Sequence, residues 1–183
     1  MKNEIIIEPP ISQRFMYGYG EKLNYFIKLL FNKKLPNTLL LSGPKGIGKS
    51  TFVYHFANYI FSLEEEHKYS LKRSEISEKN QSYKLVKSNT HPNFYLIENH
   101  VNENEIKIEK IRNLLKFINK STYSRDLKFI LIDDVENLNI NSANALLKAI
   151  EETGDNTYFF IIHNSHKILL ETIKSRCTDF KFY

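Results

Sequence analysis

The residues best placed to do chemistry are Gly43-Pro44-Lys45-Gly46-Ile47-Gly48-Lys49-Ser50, a full match to the pattern G-x-x-x-x-G-K-[ST]. Glycine lets successive backbone N–H groups turn toward one point, where they cradle phosphate oxygens. Lys49 is placed to neutralise the β- and γ-phosphates, and the Ser50 hydroxyl to ligate Mg²⁺. A helix expected from Ser50 to Ser62, with Thr51 in its first turn, points its positive N-terminus at the same anion. Thr38-Leu39-Leu40-Leu41-Ser42 reads as a short buried strand before the loop. Strand, loop and helix in that order are the context the motif requires, and they disfavour a Gly-rich turn with no ligand.

Three further groups could complete the site. Phe129-Ile130-Leu131-Ile132-Asp133-Asp134 is a strand that buries four apolar residues and delivers carboxylates to its end, a Walker B pattern. Asp133 is expected to hold Mg²⁺ and Asp134 to stand where an attacking water is oriented. Asn164, at another strand end, is placed as a polar sensor of the γ-phosphate, although an Asn capping a turn has the same spacing. Arg176, in Ser175-Arg176-Cys177, is the residue type that stabilises phosphoryl-transfer charge when supplied in trans. Spacing alone leaves it a surface arginine.

Positioning these residues requires a sheet. Leu23, Phe26, Ile27, Leu30 and Phe31 recur at three and four, predicting a helix from Glu21 that Lys33, Lys34 and Pro36 end. Strands are expected at Asn93–Glu98, Lys128–Asp133, Tyr158–His163 and Asp179–Tyr183. Helices are expected near 106–119, 141–152 (closed by Gly154) and 168–174. Strands alternating with helices predict an α/β fold with a parallel sheet covered on both faces. Ligands bind such sheets beyond the carboxyl ends of the strands, so the P-loop, Asp133, Asp134 and Asn164 should converge. Residues 1–20 read as an irregular lead-in with Pro9-Pro10. Residues 63–91, charged and poor in apolar anchors, read as a solvated helix or mobile connection.

Composition narrows the class. The 183 residues suit one domain, and 42% hydrophobic content suffices for a core. The one cysteine, Cys177, allows no intrachain disulfide and no cysteine-based zinc site, the usage of a reduced cytoplasmic protein. Met1–Pro10 lacks the apolar run of a signal peptide, and no stretch is long enough to span a membrane. The net charge of +5 is compatible with nucleic acid nearby, as is the basic face Lys107, Lys110, Arg112 and Lys116, but a solvated face explains both.

The chain resembles the delta-prime subunit family of the bacterial DNA polymerase III clamp loader. The likeness covers about residues 18–183 and rests on Leu35–Lys49, on His91-Pro92-Asn93-Phe94, on Asn141–Glu152 with its N-A-L-L-K-x-x-E-E core, and on Thr172–Cys177 with its S-R-C triplet. The resemblance implies a P-loop NTPase fold of the AAA+ class. This is a three-layer sandwich with a five-stranded parallel sheet, occupying 21–183 as a base domain without the helical lid and collar that follow in the family. It also implies membership of the polymerase III holoenzyme, with gamma/tau and delta subunits, the sliding clamp and primed DNA as partners. Arg176 takes the place of the arginine finger. Lys49, Ser50 and Asp133 take the P-loop and Walker B places, so ATP and Mg²⁺ are the cofactors implied.

Besides the missing lid and collar, the chain departs from the pattern in two ways. Zinc-binding cysteines of some members are missing from 62–91, and Asp134 stands where AAA+ motors commonly carry Glu. One methylene matters where positioning to about 1 Å decides rate. Weak or absent hydrolysis by a stator subunit is therefore the first expectation. A motor ATPase of the gamma/tau kind and a nucleotide-stabilised scaffold are the alternatives. A small-molecule kinase would need an arginine-rich lid that the sequence lacks.

Overall fold

The runs Leu39–Leu41, Phe129–Ile132 and Phe159–Ile162 are too apolar to face water on either side, and they form the central strands of one sheet. The computed structural model describes residues 8–99, 105–119 and 127–183. The strands are β1 (Thr38–Gly43), β2 (Phe94–Ile97), β3 (Lys128–Ile132), β4 (Thr157–Asn164) and β5 (Thr178–Lys181), all parallel, in the order β2-β3-β4-β1-β5. The helices are α1 (Gly20–Phe31), α2 (Lys49–Phe61), α3 (Gln81–Lys87), α4 (Ile108–Ile118), α5 (Ile140–Glu151) and α6 (Glu171–Lys174).

Side chains alternate across each strand and so sort the helices into two layers. Leu39, Leu41, Phe129, Leu131, Phe160 and Ile162 pack against α1, α2 and α3; Leu40, Ile130, Ile132, Phe159 and Ile161 pack against α4, α5 and α6. The first layer is aromatic. Phe52 meets Phe26 and Phe182 edge-on at centroid distances of 5.0 and 5.1 Å, and Phe56 stacks on Phe129 at 5.5 Å.

Register fixes the functional edge. Gly43, at the end of β1, lies level with Asn164 at the end of β4, and Ile132, at the end of β3, with Ile161. The P-loop, the Asp133–Asp134 pair and Asn164 thus leave the sheet at its carboxyl edge, as the alternating pattern predicts.

Four sequence expectations change. Residues 63–91 are packed rather than solvated: Tyr69, Ile76, Tyr83 and Val86 are buried in the first layer. Glu65 accepts from Gln81 N at 2.8 Å and Ser82 N at 2.9 Å, capping α3 with negative charge, while Asn80 accepts from Tyr83 N at 2.7 Å. Helix α5 is capped by Glu152, with Gly154 in the following turn. The last helix starts only at Glu171, leaving Ile168 92% exposed. The lead-in docks on the domain: Gln13 O meets His55 Nε2 at 3.1 Å, and Tyr83 Oη donates to Ser12 O at 3.1 Å. Met1–Ile7, read above as lacking a leader, lie outside the described residues, as does part of the polar loop after β2. Among the described residues no helix is long and apolar enough to cross a membrane.

Candidate functional site

The loop between β1 and α2 turns through Gly46 and Gly48 at φ +86° and +90°, values a side chain would strain. Gly48 is the N-cap of α2, so the free N–H groups of the first helical turn face the loop. Lys49 is 5% exposed, and its ammonium donates to Gly43 O at 2.8 Å and Pro44 O at 2.6 Å. Burial lowers the Lys49 pKa, and Asp133, Glu136 and Asp134, in that order of strength, oppose the shift.

Across the cradle, Ser50 Oγ donates to Asp133 Oδ2 at 2.6 Å. Burial pushes the Asp133 carboxyl up, opposed by the Ser50 bond, the Asp134 N–H and Lys49. Asp134 N donates to Asp133 Oδ1 at 2.9 Å, which orients that carboxylate. Asp134 itself is left-handed at φ +54°, with its carboxylate 3.9 Å from the ammonium of exposed Lys45. Asn164 borders the same cavity, but its Oδ1 accepts from His166 N at 3.2 Å, so the side chain also caps its own turn.

These groups line a cavity of about 590 Å³, a size suited to a nucleotide, together with Thr51 and with Gln13, Phe15 and Tyr17 of the lead-in. Inward-turning amides, a buried ammonium and a hydroxyl paired with a carboxylate are the donor set a Mg²⁺-bound polyphosphate needs. The residues therefore fit ATP and Mg²⁺.

Two site residues carried no sequence signal strong enough to name them. Tyr19 donates to Ile47 O at 2.9 Å and packs its ring 5.0 Å from Phe182, bracing the loop from below. Its flanking glycines mark a turn and hide the aromatic between them. Glu136, three residues beyond Asp133, is carried back toward Lys49 by the left-handed Asp134, a reversal that periodicity does not report.

Arg176 stands elsewhere. Thr178 lies level with Leu39, so Arg176 precedes the amino edge of the sheet. At about 3.3 Å per residue, it lies roughly 20 Å from the P-loop. Arg176 Nε donates to Glu151 Oε1 at 2.6 Å and a terminal nitrogen to Thr172 O at 3.1 Å, with 41% of the side chain exposed. Burial pushes the neighbouring Cys177 thiol up to about 12, which leaves it unreactive. On the basic face, Lys110 donates to Glu98 O at 2.7 Å, and Arg112 faces Glu109 at 3.8 Å.

A family model described as DNA polymerase III, delta subunit, matches residues 19–183. The chain is 31% identical over 140 residues to DNA polymerase III subunit delta' of Pseudomonas aeruginosa, covering 76% of this chain and 41% of that protein. It is 29% identical over 160 residues to the Bacillus subtilis protein of the same name, covering 85% and 46%. The chain thus spans less than half the length of these curated relatives. Among solved structures, a DNA polymerase III gamma subunit-related protein from Thermotoga maritima superposes with a TM-score of 0.62 at 19% identity, covering 86% of this chain and 45% of that one. At that identity the likeness speaks for the fold alone: the P-loop NTPase α/β fold of the AAA+ class.

Proposed function

The chain belongs to the DNA polymerase III delta subunit family, and on that premise we propose that it is a clamp-loader subunit of the stator kind. It binds Mg²⁺-ATP weakly or without efficient hydrolysis. It supplies Arg176 to ATP held by a neighbouring gamma/tau subunit while the delta-containing assembly loads the sliding clamp on primed DNA. The observation that carries this reading is the separation of Arg176 from its own P-loop. An arginine at the amino edge cannot reach a phosphate at the carboxyl edge, whereas an exposed guanidinium can reach one in a neighbour.

In its own cradle the chain's residues bind and orient. Lys49 exchanges its two carbonyl partners for phosphate oxygens, which are stronger acceptors for a buried cation. Ser50 and Asp133, already paired, hold the metal side, and bound Mg²⁺ supplies charge neutralisation between the phosphates. The exposed rings of Phe15 and Tyr17 offer an apolar wall for a base. The left-handed Asp134, short by a methylene and turned to Lys45, supports slow hydrolysis in place. The intact P-loop favours the motor reading, which isolated turnover at about 1–10³ s⁻¹ would establish.

The test mixes the chain with an active motor subunit. ATPase of the mixture should fall for Arg176→Ala, whereas the variant alone should keep the melting shift that ATP and Mg²⁺ give the wild type. An unchanged mixture rate overturns the role of Arg176 and leaves the scaffold reading standing.

A further inference from the structure

Glu136 is a buried carboxylate in poor company. Its side chain is 2% exposed, Oε1 accepts no hydrogen bond among the described residues, and Lys167 Nζ stands 3.8 Å away. Among the described residues, Oε2 meets the Asn164 N–H, at 3.5 Å. A buried charge so weakly satisfied is costly and calls for a reason. Its place suggests one. Glu136 sits in the single turn Val135–Asn137 directly after the Asp133–Asp134 pair.

The other side of the contact is the turn that follows β4. Asn164 O accepts from Lys167 N at 2.8 Å and Asn164 Oδ1 from His166 N at 3.2 Å, so both oxygens of Asn164 are used within its own turn. The side-chain NH₂ is then the donor Asn164 offers the cavity it borders. Glu136 touches this turn at two points, the Asn164 backbone N–H and the Lys167 ammonium, and Lys167 also reaches Asn137 Oδ1 at 3.4 Å.

We propose that Glu136 is the positioning residue of the γ-phosphate end of this site: its contacts with the Asn164 backbone and Lys167 set where the Asn164 side-chain NH₂ meets a bound nucleoside triphosphate. The inference rests on the reading that the P-loop binds nucleotide. Glu136 acts through Asn164, so its removal weakens what Asn164 recognises and leaves the diphosphate contacts of Lys49 and the loop amides in place.

The test is titration of the whole chain with ATP and with ADP, each with Mg²⁺. The variants are Asn164→Ala, Glu136→Ala, Glu136→Gln and the Glu136→Ala/Asn164→Ala double. Wild type should prefer ATP. Each alanine variant should lose about fivefold of that preference, the worth of one hydrogen bond, with ADP affinity kept within about twofold. The double variant should lose no more than either single, the signature of residues acting as one unit. Glu136→Gln, which keeps an acceptor for the Asn164 N–H, should retain most of the preference.

An undiminished preference in Glu136→Ala, or losses that add in the double variant, overturns the proposal. Should Glu136→Ala not fold, the surface change Lys167→Ala takes its place. It should cost about twofold in preference, and no change overturns the proposal. Wild type that binds both nucleotides equally refutes this inference alone. Wild type that binds neither refutes the nucleotide reading along with it.

Discussion

At the carboxyl edge of the sheet, Lys49 is 5% exposed and held by two carbonyls, and Ser50 and Asp133 are bonded to each other. At the amino edge, Arg176 leaves 41% of its side chain in solvent, and its charged partner Glu151 is 51% exposed. Both edges carry a cation suited to phosphate, but the packing differs. The first is preorganised, with its groups desolvated before any ligand arrives, which strengthens each contact. The second is oriented yet uncommitted, as a group must be if its target lies on another molecule. On the proposed reading, one sheet separates a place that receives a nucleotide from a place that acts on one.

The sharpest way to break this contrast is at Lys49. Lys49→Ala should lower this chain's affinity for Mg²⁺-ATP about 10- to 100-fold by calorimetric titration, the worth of charge-assisted hydrogen bonds, whereas Arg176→Ala should leave it unchanged. Equal losses at both positions would erase the distinction.

The rigidity of the carboxyl edge is open to a backbone test. A Cβ added at Gly43 would lie 2.4 Å from Phe182 O, so Gly43→Ala should cost about 1–3 kcal/mol by denaturant unfolding. The helix behind the P-loop adds a pH signature. Burial pulls His55 down to about 4 from its ordinary 6.5, while its bond to Gln13 O opposes the shift. The folded chain therefore keeps His55 neutral where the unfolded chain already takes up a proton. Its stabilising effect is whole above pH 6.5 and is lost as pH falls toward 4, about 3 kcal/mol in all. Melting scans across that window should show the fall, and His55→Gln should remove the His55 share of it, leaving that of His91, which burial also pulls down to about 4. The smallest effect belongs to the amino edge: Glu151→Gln should change stability by less than about 0.5 kcal/mol, because the pair it breaks is exposed.

Legibility in the sequence followed the same division. The strand, P-loop and helix of the carboxyl edge were readable because an apolar run, two turn glycines and a helical stripe each obey a local rule. Residues 63–91 misled because Tyr69, Ile76, Tyr83 and Val86 reach the core across turns, with no shared period. Glu136 escaped notice because a left-handed Asp134 reverses the chain just before it. Arg176 was picked out by family resemblance, but its pairing with Glu151, 25 residues away, is made only when α5 packs on α6.

The central claim, that the two edges serve different nucleotides, is tested most directly by crossing both substitutions in one mixture with an active motor subunit. Arg176→Ala should abolish ATP hydrolysis at the neighbouring site it serves, about 10³- to 10⁵-fold, while Lys49→Ala in this chain should leave that hydrolysis largely intact. Loss of the mixture's activity on Lys49→Ala, with Arg176→Ala silent, would contradict the account.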